Sequence, residues 1–314
     1  MKQRYFIAIA LVMAAAIVLA SRLIANEYYF SAAYTVLQFV ILATAWNILG
    51  GYTGYVNFGS AAFFATGAYS TVFLDKALHP PLIVAVLIGT LVAGVLGLAV
   101  GYLTLRLRGV FFAIATLALS VVLFTFVVNW DYVGGARGAY IILPREVPFG
   151  LPRHIHVLYS AMIVMVAFAL VVARAIETSA VGRGLAAIRD DEVAAECAGV
   201  PTLRLKLLAA TVSGGLMGMA GTTFPYYLSY VEPSAVFNLS YAVNSIAMPL
   251  IGGMTSWIGP LLGAVLLGTV QQLVQVTISS AWNLLIVGVL LVVFVTVAPH
   301  GIMGWIDAWR NRKR

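Results

Sequence analysis

Apolar runs of membrane length, interrupted by charged residues or by Pro and Gly, recur along nearly the whole chain. They predict helical spans near 5–24, 32–49, 60–74, 82–105, 110–129, 157–173, 207–225, 240–251, 257–278 and 282–298, because a helix that crosses a bilayer needs about 20 predominantly apolar residues. The expectation is about ten spans (eight to ten), two of the runs being short. One stretch breaks the pattern. From Val171 to Leu207 the sequence VVARAIETSAVGRGLAAIRDDEVAAECAGVPTLRLKL carries five of the 18 basic and five of the 11 acidic residues.

A second departure lies inside the apolar sequence. The run WNILGGYTGYVNFGSAAFFATGAY, Trp46 to Tyr69, sets Gly50, Gly51, Gly54, Gly59 and Gly67 beside Asn47, Thr53, Asn57 and Ser60. Clustered glycines and amides at membrane depth predict a broken helix lining a cavity, since bare backbone in lipid would go unsatisfied. About 200 residues later, PLIGGMTSWIGPLLGAVLLGT places Gly252, Gly253 and Thr255 in the same order as Gly50, Gly51 and Thr53. Two interrupted segments, one per half, suit an inverted internal repeat and a substrate route through Asn47, Gly51, Thr53, Gly54, Asn57, Ser60, Gly252, Gly253 and Thr255. Close helix packing is the other reading of the same glycines.

Composition agrees with the pattern: 62% of residues are hydrophobic, 9% are charged, and mean hydropathy is +1.00. The fold class expected is all-α, a polytopic helical membrane protein forming a single transmembrane domain over 1–314. The net charge of +7 does not point to nucleic acid, because the basic residues sit in short loops and at the two ends, where they orient spans against anionic lipid. With the N-terminus inside, ten crossings put Lys2, Arg4, Arg106, Arg108, Arg174, Arg183, Arg189, Arg204, Lys206, Arg310, Arg312, Lys313 and Arg314 in the cytoplasm. Arg22, Lys76, Arg137, Arg145 and Arg153 fall outside, a split of thirteen to five. That asymmetry places both termini and the polar segment at the cytoplasmic face. The N-terminal apolar run continues through Leu23 and Ile24, so an uncleaved first span is favoured over a signal peptide. Cys197 is the single cysteine and has no intrachain disulfide partner.

The polar segment reads as a helical hairpin. Gly182 and Gly184 are expected to break the helix leaving the membrane, Asp190 to cap a new helix that opens with Asp191 and Glu192, and Gly199 with Pro201 to end it. Val193, Cys197 and Val200 share one face, Glu192 and Glu196 another, and Leu185 with Ile188 forms an apolar pair just upstream. Such an element docks in a partner's groove, lies among lipid headgroups, or stays solvated.

At these residues the chain resembles a known family. EVAAECAGV, Glu192 to Val200, is similar to the EAA motif of ABC importer permeases, and GRGLAAIRDDEVAAE resembles the longer loop of the LivM family, permease subunits of branched-chain amino acid importers. The Trp46–Tyr69 run resembles that family's first-half GYTG signature, and Pro249 to Gly268 its Gly-Gly, Gly-Pro and Gly-Ala block. Together the matches span about residues 30 to 298. The resemblance implies a cytoplasmic coupling loop over 174–206, with Leu185, Ile188, Glu192, Ala194, Ala195, Glu196 and Gly199 as ATPase-coupling residues. It implies three partners: ABC ATPase subunits holding ATP and Mg, a second, LivH-like permease, and a periplasmic substrate-binding protein. The setting would be the bacterial inner membrane. Where the family has Ser-Leu-Gly-His this chain reads Asn57-Phe58-Gly59-Ser60, and its outer loop reads GGARGA where an Asn-Gly is usual. A substrate other than leucine is compatible with those changes.

No catalytic residues, metal ligands or bound cofactor are expected. The sequence has no G-x-x-x-x-G-K-[ST] phosphate loop, and His79, His154, His156 and His300 are too scattered for a metal site. Asn129, Asn244, Gln271, Gln272 and Gln275 are polar groups near membrane depth, serving either a route or interhelical hydrogen bonds. No Asp, Glu, Lys or Arg lies centrally in any predicted span, which weighs against the alternative of a stand-alone ion-coupled secondary transporter.

Overall fold

The computed structural model describes residues 3–21, 26–104, 107, 109–141, 154–277 and 301–305, with Leu285, Gly288, Val289, Leu291, Val292, Val293 and Thr296 between the last two stretches. Most of the predicted span 282–298 therefore lies outside the described residues, as do Lys2, Arg22, Arg106, Arg108, Arg145, Arg153, Trp282, His300, Trp309 and the basic tail. The elements in chain order are α1 Gln3–Ser21, α2 Glu27–Thr53, α3 Ser60–Leu78, α4 Leu82–Thr104, α5 Val110–Val128, α6 His154–Glu177, α7 Ala180–Asp190, α8 Glu192–Cys197 and α9 Thr202–Thr222. They continue with α10 Phe224–Leu228, α11 Pro233–Val236, α12 Leu239–Gly252 and α13 Ile258–Thr277.

Among the described residues seven helical stretches are long and apolar enough to cross a membrane. These are α2, α4, α5, α6, α9 running into α10, α11 running into α12, and α13, so the protein is a multi-pass helical membrane protein. The predicted runs 5–24 and 60–74 fold as α1 and α3, but the apolar part of α1 is shorter, Tyr5–Val18. α3 is less apolar and carries Asp75 and Lys76 near its end.

Helix ends collect in two groups. At one end, Phe6 of α1 meets Trp257 edge-on with ring centroids 4.9 Å apart, and the Arg174 guanidinium of α6 lies 4.0 Å above the Phe6 ring. There too Tyr52 of α2 donates to Glu177 Oε2 at 3.2 Å, and the Trp257 N–H donates to the same oxygen at 2.5 Å. At the other end Phe30 of α2 lies against His156 of α6 at 4.2 Å, and Tyr227 of α10 stacks on Tyr34 at 4.3 Å. Two short strands, β1 Ala139–Tyr140 and β2 Tyr230–Val231, pair antiparallel in the register Ala139↔Val231 and Tyr140↔Tyr230. This ribbon was not foreseen: two residues are too few for an alternating pattern, and the pairing joins loops 90 residues apart.

α9 is the hub of the bundle, and the α9–α10 stretch is the most buried of the seven, 78% of its window against 17% for α5. Small residues allow this. A Cβ added at Gly67 of α3 would overlap the Gly218 carbonyl of α9, one at Gly221 would overlap the Phe64 carbonyl, and one at Gly97 of α4 would lie 2.6 Å from Ala210 O. Lipid tails compete equally for apolar side chains, so membrane helices associate largely through such close backbone approach. Two pairs of buried polar groups bond across the bundle: Tyr34 Oη lies 2.8 Å from Thr223 Oγ1, and Gln271 Nε2 donates to Asn244 Oδ1 at 2.8 Å.

The glycine pairs belong to this packing. Gly50 and Gly51 continue α2 to its end, and the helix stops at Gly54 with φ of 78°. The interruption falls between the predicted spans 32–49 and 60–74, at the end of α2 beside Glu177 and α7. Gly252 closes α12, where a Cβ would overlap the carbonyl of Gly259 on α13. The expected thermodynamic signature is sharp: Gly67→Ala should lower stability by about 1–3 kcal/mol through overpacking. Gly94→Ala, whose Cβ would find ordinary contacts at 3.6 Å or more, should be neutral or slightly stabilising. Thermal unfolding in detergent, followed by size-exclusion fluorescence, measures both.

Candidate functional site

The polar segment folds as two helices at the end of the bundle marked by Glu177 and Trp257. α7 begins where Ser179, in extended conformation, accepts a hydrogen bond from the Gly182 N–H through its side chain. Gly182 and Gly184 lie within the helix, so the predicted break falls earlier, at Thr178 and Ser179, whose hydroxyl supplies a cap that glycine lacks. The cap of α8 is Asp191 in place of Asp190. Its Oδ1 accepts from Val193 N at 2.9 Å and Ala194 N at 3.0 Å, and its negative charge suits the helix N-terminus. α8 closes through a left-handed Gly199, φ 83°, with Val200 N donating to Ala195 O at 3.0 Å, the geometry that glycine adopts without a Cβ penalty. Thr202 Oγ1 then donates to Glu196 Oε1 at 2.7 Å, tying the turn to the start of α9.

The first residue of α8 holds the site together. Tyr55, in the interruption between α2 and α3, donates its hydroxyl to Glu192 Oε2 at 2.6 Å. Lys206 of α9 donates to Glu192 Oε1 at 2.6 Å and to Tyr55 Oη at 3.2 Å. Lys206 is only 3% exposed, so its ammonium is compensated by a carboxylate and a hydroxyl in a closed triangle. The Tyr55 ring also meets Phe112 of α5 edge-on at 5.2 Å. From α7, the Arg189 side chain packs over Gly54, its Cγ 3.3 Å from where a Cβ would lie there.

Exposure divides the expected coupling residues. Leu185 and Ile188, 0% and 3% exposed, face the chain's own core, and Ala195 is also buried. These three hold the hairpin on the bundle and have no surface to offer outward. Ala194, Glu196 and Gly199 are exposed, with Val193 and Cys197 beside them. Glu192 sits between, half-buried and bonded inward.

The expected route residues come together only in part. Gly51 lies close to the turn after α12: a Cβ there would be 2.8 Å from Met254 O. Both glycine segments therefore meet at the hairpin end. Asn47 is buried in α2 with its amide oxygen over Gly51. Thr53 Oγ1 donates to Leu49 O at 2.5 Å, Asn57 Oδ1 accepts from Gly59 N at 2.7 Å, and the Ser245 hydroxyl of α12 donates to Ser60 Oγ at 2.8 Å. Gly252 and Gly253 are buried in the α12–α13 contact, and Thr255 is exposed. Asn57 thus bonds within the interruption, Thr53 back into α2 and Ser60 across to α12.

Sequence reasoning passed over Tyr55, Lys206, Tyr52 and Glu177. One signal was available for Lys206: a lysine at the first turn of an apolar span needs a counter-ion, and the preceding hairpin holds the nearest carboxylates.

Residues 28–295 match the family described as the permease component of the branched-chain amino acid transport system. The chain belongs to this family. Among curated proteins, the LivM permease protein of the high-affinity branched-chain amino acid transport system of Escherichia coli K12 is 26% identical over 289 residues, 84% of this chain and 67% of that protein. A probable LivH permease protein of branched-chain amino acid transport from Methanocaldococcus jannaschii is 23% identical over 292 residues, 88% of this chain and 90% of its own length. The ribose import permease RbsC of Haemophilus influenzae is 25% identical over 126 residues, 38% of each chain. No solved structure matches. This permease thus shares nearly its whole length with branched-chain amino acid permeases and a shorter stretch with a sugar permease.

The triangle makes an energetic prediction. Lys206→Met leaves the Glu192 carboxylate without its ammonium and should cost roughly 3 kcal/mol. The double variant Lys206→Met/Glu192→Gln, which removes both charges, should recover much of that loss. Thermal unfolding of the single and double variants measures the difference.

Proposed function

We propose that this permease is the membrane subunit of an ABC importer that moves branched-chain or related small amino acids into the cell across the bacterial inner membrane. Separate ATPase subunits, which bind ATP and Mg, dock on the exposed face of α8 and supply the energy. The observation that carries the reading is the capped, solvent-facing α8 on an apolar bundle: Val193 is 54% exposed, next to Ala194, Glu196, Cys197 and Gly199, while the inner face of the hairpin is committed to the core. An exposed apolar and acidic helical surface on a permease is a docking surface for a soluble partner.

Ten crossings with both termini cytoplasmic account for how the helix ends collect. Supporting this, the start of α1, the end of α6 and the start of α13 meet at Phe6, Arg174 and Trp257. Gly301, beyond the last predicted span, lies beside Gly253, its Cβ position 2.6 Å from Gly253 N. The hairpin is then cytoplasmic, the β1–β2 ribbon faces the periplasm, and a periplasmic binding protein delivers solute at that side. A second permease of the LivH kind completes the route. The Gly50–Thr53 and Gly252–Thr255 segments are the ends of two related halves.

Co-purification in mild detergent tests the reading. The tagged chain should bring down an ATPase with a phosphate loop and a second permease, and Gly199→Trp or Ala194→Trp should release the ATPase and abolish uptake while the chain still inserts in the membrane. Uptake by the purified chain alone in proteoliposomes, driven by an ion gradient without ATP, would overturn it.

A further inference from the structure

The docking surface does not reach the route by itself; some residue must carry displacement of α8 into the bundle. We propose that the Glu192–Tyr55–Lys206 triangle is the latch that couples α8 to the α2–α3 interruption, with Tyr55 as a positioning residue for transport. The proposal rests on the ATP-driven reading above.

The geometry argues this in three steps. Glu192 is the first residue of α8, next to the Asp191 cap, so a shift of the helix moves its carboxylate directly. Both carboxylate oxygens are used inward, Oε2 by the Tyr55 hydroxyl and Oε1 by Lys206, each at 2.6 Å. Lys206 closes the third side and is itself fixed on α9, the hub helix, so the carboxylate moves relative to a firm reference.

Tyr55 then connects to the remainder of the interruption. Its ring stands against Phe112 of α5. Two residues on, Asn57 O accepts the Trp46 indole N–H at 2.8 Å, and Phe58 N donates to Thr116 Oγ1 of α5 at 3.1 Å. The interruption is therefore tied on one side to α8 and on the other to α2 and α5. Its residues are in coil, where backbone dihedrals change at lower cost than inside a helix. α5 is the least buried of the membrane-length helices, so it has the fewest contacts to break when it shifts.

The test uses the assembled complex in proteoliposomes and reads transport per ATP hydrolysed. Tyr55→Phe keeps the ring against Phe112 and removes only the hydroxyl. It should preserve assembly and basal ATP hydrolysis while lowering transport per ATP about tenfold. The neutral pair Glu192→Gln/Lys206→Met should show the same uncoupling without a stranded charge. Wild-type transport per ATP in both variants would overturn the latch, as would loss of assembly in Tyr55→Phe, which would give the hydroxyl a structural role. Failure of the underlying reading looks different: the wild-type chain would show no ATP-dependent uptake at all.

Discussion

The structure depends on how closely backbones approach where no hydrophobic force favours protein over lipid. In hydrocarbon every backbone group must be bonded within the chain, which leaves helices, and leucine gains as much from lipid tails as from a neighbouring helix. The bundle is held instead at contacts with no room for a side chain. Gly67 on Gly218, Gly221 on Phe64 and Gly252 on Gly259 bring α3, α9, α12 and α13 to within reach of each other's carbonyls. The burial of α9 follows from that, and so does the firm footing of Lys206 at its first turns.

That footing sets the electrostatics of the hairpin. A buried ammonium is tolerable only when its charge is compensated, and the compensation comes from the first residue of α8. The polar segment is thereby attached to the membrane bundle at a defined place, through a short, charge-assisted contact, while Leu185, Ile188 and Ala195 fix it through packing. Exposed on the same segment are Arg183, Arg189, Asp190 and Asp191, most of the six-residue α8 and its glycine turn.

Family membership and geometry divide the functional conclusion between them. The match over residues 28–295 makes this a permease component, and similarity to amino acid and ribose permeases shows that one scaffold is shared by proteins named for different solutes. Asn57 to Ser60 hold the α2–α3 interruption in place through bonds to Trp46 of α2, to Gly59 and to Ser245 of α12.

The sequence by itself determined the class and, among the described residues, seven of the predicted runs as helices of membrane length, because hydropathy over about 20 residues is local. It also placed Gly199 at a turn and the three motif blocks in order. The tertiary structure alone decided which faces those elements present. Leu185 and Ile188 are apolar at helical spacing whether they face a partner or the core, and only the fold shows them turned inward. Likewise Gly50 and Gly51 carry no local sign of whether a helix breaks or a neighbour comes close. The Tyr55–Glu192–Lys206 triangle joins positions 137 and 151 residues away from Tyr55, a distance along the chain at which periodicity and capping hold no information.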